Sequence, residues 1–252
     1  MAPDLSGRTL LAVFAHPDDE SIACGGLLAR CAELGARVVL LCATHGEYQP
    51  GMRDERLFET RARELEDAAS ALGLAEVILL DYPDGHLRSV DEAILEARIR
   101  AEIRRVNPDV IVTFGGDGLY WHPDHIVIHE RTTAAVRSMD GDAPALYYVT
   151  MPPGQMRGLV DEWRHDPERG AETPPVLGID PDAFGVKANE PTLILDVTAA
   201  ARRKLAALQC HRTQVGTAFD RLRDEMAAQL LGIEHFHRAP IASARDPFIE
   251  RL

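Results

Sequence analysis

At 252 residues and 27.7 kDa the chain is long enough to bury the core of one large α/β domain, and a single domain over 1–252 is expected. A hydrophobic fraction of 46% and a charged fraction of 27%, with no apolar run near the ~20 residues of a membrane span, exclude disorder and a transmembrane role. A formal charge of −13 without any Lys/Arg-rich block repels a phosphate backbone, so no nucleic-acid partner is expected.

The N-terminal MAPDLSGR has no basic segment leading into an apolar stretch, so the chain reads as cytoplasmic, without a membrane partner. The first predicted strand, TLLAVF (9–14), runs directly into AHPDDE (15–20), which opens a helix over IACGGLLARCAELG that closes at Gly35. Further apolar, β-branched strands follow at ARVVLLCAT (36–44), AEVILLD (75–81), DVIVTF (109–114) and ALYYVT (145–150). Between them lie helical segments that close at Gly73 and at Asn107-Pro108. Near-continuous apolar strands alternating with helices predict an α/β fold: a Rossmann-like, doubly wound, mostly parallel sheet buried on both faces.

From 151 to 191 the periodicity fails among prolines and glycines, as in a lid-like functional excursion. Order returns with a strand at TLILDVT (192–198), the helical AARRKLAALQCH, a helix around 219–231, and IEHFHR, whose alternation suits a sheet edge. The four cysteines form no C-x-x-C pair, and Cys24 and Cys42 sit in apolar company, which points to buried thiols in a reducing compartment.

Ligands of open α/β sheets gather outside the carboxyl ends of the strands. His16, Asp18 and Asp19 stand there after the first strand, and His122, Asp124, His125 and His129 stand after DVIVTF. Asp19 or Ser21 suits the N-cap of the first helix, and each H-P-D proline suits a first helical turn. Capping explains one acid, not three acids beside a histidine. Two histidines with one carboxylate make a facial metal site with open positions, a donor set shared by zinc hydrolases and non-haem iron(II) oxygenases. A spare carboxylate beside such ligands favours hydrolysis, because it is placed to take a proton from water. The GG at 25–26 and the GGDG at 115–118 do not read G-x-G-x-x-G, which argues against a dinucleotide site.

AHPDDE near the N-terminus with HPDH about a hundred residues on resembles the LmbE/PIG-L metal-dependent de-N-acetylases, and the likeness covers nearly the whole chain. The resemblance implies that His16, Asp19 and His125 hold one Zn2+, with Fe2+ as the other metal for the same site. It implies Asp18 as general base, His122 as stabiliser of the oxyanion and proton donor to the leaving amine, and Asp124 as the carboxylate that orients a histidine. Tyr120 resembles a tyrosine that assists the oxyanion in some members. RARELEDAASALG and YPDGHL resemble segments from which Arg61 and Asp84 reach a sugar or inositol hydroxyl, and Lys204, His211 and Gln214 resemble a K…H-x-[ST]-Q signature that lines the site, with His211 counted among the substrate-binding residues.

The expected activity is therefore zinc-dependent removal of the N-acetyl group from an N-acetylglucosamine-type conjugate, a small-molecule aminosugar. The alternatives are an amidase cleaving a larger acyl group from the same aminosugar position and, less in keeping with the spare acid, a metal-dependent oxidase. Loops of the length of 151–191 also leave room for a homo-oligomer.

Overall fold

The computed structural model describes residues 3–49, 52–53, 55–164, 179–216, 219–220, 222 and 224–252, so the 165–178 part of the expected excursion lies outside the described residues. β1 (Thr9–Phe14) is apolar at every position but its first and is buried over Leu10–Phe14, which requires cover on both faces. It receives that cover at the middle of a sheet. β2 (Arg37–Cys42) pairs with it in parallel on one side, Leu10 opposite Val38 and Phe14 opposite Cys42, and β6 (Val110–Phe114) pairs in parallel on the other. A separate small hairpin, β3 (Tyr48–Gln49) with β4 (Met52–Arg53), follows β2 in the chain. The full order is β5-β2-β1-β6-β7-β9-β8, with β5 (Glu76–Leu79), β7 (Ala145–Thr150), β8 (Leu193–Asp196) and β9 (Ile233–Arg238).

The five strands from β5 to β7 are parallel, whereas β9 runs antiparallel to both β7 and β8. IEHFHR is thus an inner strand, and the edge belongs to β8, where Ile194 is exposed. Local alternation marks a strand but does not reveal its neighbours, which here lie about 40 and 90 residues away in the chain.

One helical layer holds α1 (Asp19–Glu33), α2 (Glu55–Leu72) and α7 (Ala201–Cys210), packed on one another; the other holds α3 (Glu92–Val106) against α5 (Pro123–Arg137), which follows the short α4 (Gly118–Trp121). The remaining α-helices among the described residues are α6 (Gln155–Arg164), α8 (Arg212–Val215) and α9 (Asp224–Leu231). The expected stops hold: Gly35 and Gly73 take φ of +94° and +76°, and Asn107 ends α3 in the left-handed region. Because β1 leads to β2 and β5 on one side and β6 leads to β7 on the other, the order reverses between β1 and β6. That reversal is where an open α/β sheet leaves a crevice for ligands, and both H-P-D segments emerge there.

Helix α1 is broken at Cys24, whose φ of −151° and ψ of 23° are not helical. Its second half restarts at Gly25-Gly26, where the amides of Gly26 and Leu27 donate to the Glu234 carboxylate of β9, each at 2.8 Å. A Cβ at Gly26 would run into Val197 and Glu234, so only glycine lets β9 place an anion at this internal helix start. Lys204 of α7 neutralises that anion at 2.7 Å, with both side chains buried.

Candidate active site

The sharp exit from β1 places Asp18 at the N-cap of α1 with φ 110° and ψ −28°. Neither Asp19 nor Ser21 is the cap, contrary to expectation. The helix starts at Asp19, Pro17 lies outside its first turn, and the Asp19 carboxylate instead accepts the His16 amide at 2.7 Å. After β6 the chain turns through Leu119 (φ 65°) and Trp121 (φ 67°), and His122 caps α5 with Pro123 at its first position. Of the four non-glycine residues with positive φ among the described residues, three therefore lie in these two turns, and the fourth is the helix-ending Asn107. Backbone strain of this kind persists where surrounding contacts over-determine it, and it concentrates at functional sites.

The two turns bring three donor groups together. His16 Nδ1 lies 3.3 Å from Asp19 Oδ2, His125 Nε2 lies 3.2 Å from Asp19 Oδ1, and the two ring nitrogens are 3.2 Å apart. The far side of each ring fixes its tautomer. His125 Nδ1 donates to the Gly118 carbonyl at 3.1 Å, and His16 Nε2 faces Asp84 Oδ1 at 3.0 Å and Asp124 Oδ2 at 3.4 Å. With those protons directed outward, two nitrogen lone pairs and a carboxylate converge on one point. Such a set repels itself unless a cation or an extra proton is present. Three ligands at about 2.0–2.2 Å from a tetrahedral ion stand roughly 3.3–3.6 Å apart, close to the observed separations. His122 comes within 4.8 Å of His16 and His125 as a further donor, and His16, Asp84 and Asp124 form a second cluster of the same spread.

Burial disfavours a charged His16, but the hydrogen bonds that Asp124, Asp19 and Asp84 accept from it outweigh burial and hold its pKa well above the usual histidine range. The same anionic surroundings attract a metal cation. Asp124 is fully buried, and its two oxygens accept the amides of Gly85 at 2.8 Å and Leu87 at 3.1 Å, so its carboxylate is held rigidly against His16. Asp84, expected at a substrate hydroxyl, has Oδ1 on His16 and Oδ2 on the Tyr48 amide at 2.7 Å.

A cleft of about 300 Å³ opens over these groups, lined by His16, Asp18, Arg61, Asp84, Tyr120 and His122, with Tyr48, Gly85, Ile179 and Gln214 completing its wall. Burial pushes the Asp18 carboxyl up to about 7 against the opposing pull of Arg61, whose Nη2 stands 3.3 Å from Asp18 Oδ2. Arg61 is itself buried, donating to the carbonyls of Pro17 at 2.6 Å and Gly46 at 2.5 Å. His122 is driven down to about 4 by burial and by His125 and His16, so its ring is neutral at pH 7. Its Nδ1 accepts the Asp124 amide at 3.3 Å, which leaves the proton on Nε2. Tyr120 packs edge-on against His122 and His125 and leans on Phe184, whose neighbour Gly185 donates to the Leu119 carbonyl.

The K…H-x-[ST]-Q residues separate. Gln214 lines the cleft, Lys204 sits on Glu234, and His211 is fully buried behind α1, its Nε2 2.8 Å from Glu20 Oε1. Glu64, three residues after Arg61 on α2, accepts both the amide and the hydroxyl of Thr213 and ties that segment to α2. The sequence points to no role for Glu20, Glu64 or Glu234: Glu20 follows two other acids, Glu64 lies in the charged run RARELED, and only Glu234, in LGIEHF, stands as an acid among mainly apolar residues. His129 turns away and donates to the Phe114 carbonyl, while His86 lies outside beside Tyr48. The thiols of Cys24, Cys31 and Cys42 are buried and free.

A doubly wound α/β protein with a His/Asp centre able to hold a metal ion at its strand switch point is the class that fold and site define. The family model described as GlcNAc-PI de-N-acetylase, PIG-L, matches residues 11–136, and the chain belongs to that family. It is 34% identical to the 1D-myo-inositol 2-acetamido-2-deoxy-alpha-D-glucopyranoside deacetylase of Thermomonospora curvata, over 91% of this chain and 89% of that protein. The protein of the same name from Rhodococcus jostii is also 34% identical, over 92% and 91%. Among solved structures, the N,N'-diacetylchitobiose deacetylase of Pyrococcus horikoshii superposes with a TM-score of 0.59 at 20% identity, covering 92% of this chain and 84% of that one. The 4-carboxy-2-hydroxymuconate hydratase GalB of Pseudomonas putida superposes with a TM-score of 0.63 at 20% identity, covering 95% and 99%. One fold thus carries hydrolysis and hydration alike, and the reaction must be argued from the site. No helix among the described residues is long and apolar enough to cross a membrane.

Proposed function

We propose that this chain is a zinc-dependent de-N-acetylase that hydrolyses the acetamido group of an N-acetylglucosamine-type conjugate to acetate and a free amine. The observation that carries the reading is the convergence of the His16 Nδ1 and His125 Nε2 lone pairs on the Asp19 carboxylate, with Asp18 beside them in an open cleft. His16, Asp19 and His125 would hold the ion, which when bound supplies Lewis-acid polarisation of the acetyl carbonyl and acidification of water. His16 and His125 are kept in the ligating tautomer by Asp84 and Asp124 on one side and the Gly118 carbonyl on the other.

Asp18 takes a proton from the attacking water as its oxygen bonds to the acetyl carbon. An affinity raised by burial suits a group that must accept a proton and give it back near neutral pH. The neutral His122 donates its Nε2–H to the carbonyl oxygen as negative charge develops there. The C–N bond then breaks, and Asp18 returns its proton to the departing nitrogen. Arg61 holds the Asp18 carboxylate in the cleft and keeps the turn closed through the Pro17 and Gly46 carbonyls.

Relatives named for an inositol-linked 2-acetamido-2-deoxyglucoside make that conjugate the first substrate to offer. The test is release of primary amine from a panel of N-acetylglucosaminyl conjugates and longer-acyl analogues, using zinc-loaded, iron(II)-loaded and chelated protein. Turnover of acetyl substrates by the zinc-loaded protein, lost on chelation and regained with zinc, is the expected result. No amine from any conjugate with metal bound would overturn the reading.

A further inference from the structure

Behind the cleft lies a buried polar group that the proposed chemistry leaves unused. Glu20 and His211 are both fully buried, although 191 residues separate them in the chain. His211 Nε2 donates to Glu20 Oε1 at 2.8 Å, the Ser21 hydroxyl donates to the same oxygen at 2.5 Å, and the other oxygen, Oε2, accepts the backbone N–H of Asp18 at 3.1 Å. Glu20 therefore folds back over the start of its own helix, as the acid of a capping box does, and the residue it caps is Asp18.

We propose that Glu20 and His211 are positioning residues that hold Asp18 in its left-handed backbone conformation and so keep its carboxylate in the cleft. This rests on the reading of Asp18 as the base. A φ of 110° at an aspartate is strained by about 1–3 kcal/mol and needs constraints on several sides. Asp18 has them. Its carbonyl accepts the amides of Ser21 and Ile22 at 3.1 and 3.0 Å, its carboxylate faces Arg61, and its N–H is fixed by Glu20. Of these anchors, the helix bonds define only the carbonyl side of the residue, while Arg61 holds its side chain and, through the Pro17 carbonyl at 2.6 Å, the acceptor end of the preceding peptide plane. The bond to Glu20 holds the donor end of that same plane, so that Glu20 and Arg61 together fix its orientation, and hence φ.

The choice of histidine at 211 supports the same role. Its Nδ1 is buried with no hydrogen-bond partner among the described residues, which is unfavourable by about 1–3 kcal/mol. An apolar residue would fill this site between α7 and α8 without that penalty. What it could not do is hold one Glu20 oxygen so that the other faces Asp18. His211 is in turn located by the adjoining segment, where Glu64 of α2 binds the amide and hydroxyl of Thr213. The helix that supplies Arg61 to the Asp18 side chain thus also anchors the segment that reaches its backbone.

The test compares metal-loaded full-length wild type with His211→Leu, His211→Gln and Glu20→Asp. Three quantities are read: kcat and KM on the acetamido-sugar conjugate that the wild type turns over, metal content, and hydrogen exchange at the Asp18 amide. Gln keeps an N–H near the position of Nε2. Asp keeps the charge but is one methylene too short to span Asp18 and His211. For His211→Leu and Glu20→Asp, the expected outcome is a kcat lower by about 10- to 100-fold, KM within about twofold, unchanged metal content and Asp18 exchange at least about tenfold faster. His211→Gln should recover most of both losses. Wild-type kcat and exchange in Glu20→Asp, or a fall in kcat that merely follows metal content, would overturn the proposal, and Glu20→Asp decides the matter if His211→Leu does not fold. The exchange measurement needs no substrate. A wild type that releases no amine would therefore sink the functional reading while the Asp18 amide still judged the positioning one.

Discussion

After β1 the tripeptide His-Pro-Asp occupies residues 16–18, and after β6 it occupies 122–124. In the first copy the histidine stands before the cap, the aspartate is the strained cap residue, and the carboxylate is left in the cleft. In the second the histidine is itself the cap, proline opens the helix, and the aspartate sits inside the first turn, fully buried on the amides of Gly85 and Leu87. A shift of two residues in where the helix begins turns the same three side chains around. The first aspartate becomes free to exchange a proton, and the second becomes a fixed support for the first histidine. Identical motifs at one sheet edge therefore need not share a role.

The largest effect should come from Asp19, the carboxylate that both ligand histidines face. Asp19→Asn removes the anion from the donor set, and metal binding by titration and amine release should both fall to background. Retained binding at wild-type affinity would show that another donor set, such as the one including His122, holds the ion. Next comes His122→Gln. Loss of the imidazole that donates into the cleft should lower kcat by about 10²–10³ with metal content unchanged. If metal content fell with it, His122 would be a ligand and the contrast between the two motif histidines would collapse. The smallest effect on catalysis should come from Lys204→Met, which leaves the buried Glu234 without its cation. A destabilisation of about 3–5 kcal/mol is expected, lowering the melting midpoint by roughly 6–20 °C, while kcat of the folded protein stays within about threefold. A large loss of kcat without loss of stability would mean that the second half of α1 shapes the cleft directly.

Much of this contrast could be read before any coordinates. The apolar strands, the helix stops at Gly35, Gly73 and Asn107, and the meeting of two H-P-D segments at one sheet edge all follow from local pattern and from the rule that strands of βαβ units run parallel. The antiparallel insertion of β9 between β7 and β8 did not, because period-two alternation says nothing about neighbours. Nor did the helix start at Asp19, because Asp19 and Ser21 satisfied the cap pattern equally well and the cap is Asp18. Asp84 shows the same limit: an Asp-Gly turn is visible in the sequence, but its reach to His16, 68 residues earlier, is set by how β5 and β1 lie in the sheet. Glu20 and His211 lay furthest from view. Each is ordinary in its own segment, and only the packing of α7 on α1 brings them together.

The central claim is that one motif aspartate carries a proton while the other holds a ligand. It is tested most directly by measuring metal affinity and turnover in Asp18→Asn and Asp124→Asn side by side. The account predicts that Asp18→Asn binds metal as the wild type does and loses about 10²–10⁴ in kcat at any metal concentration. Asp124→Asn should bind metal about 10- to 100-fold more weakly and regain most of its turnover when metal is added in excess. Loss of metal from Asp18→Asn, or wild-type affinity with no turnover in Asp124→Asn, would contradict it.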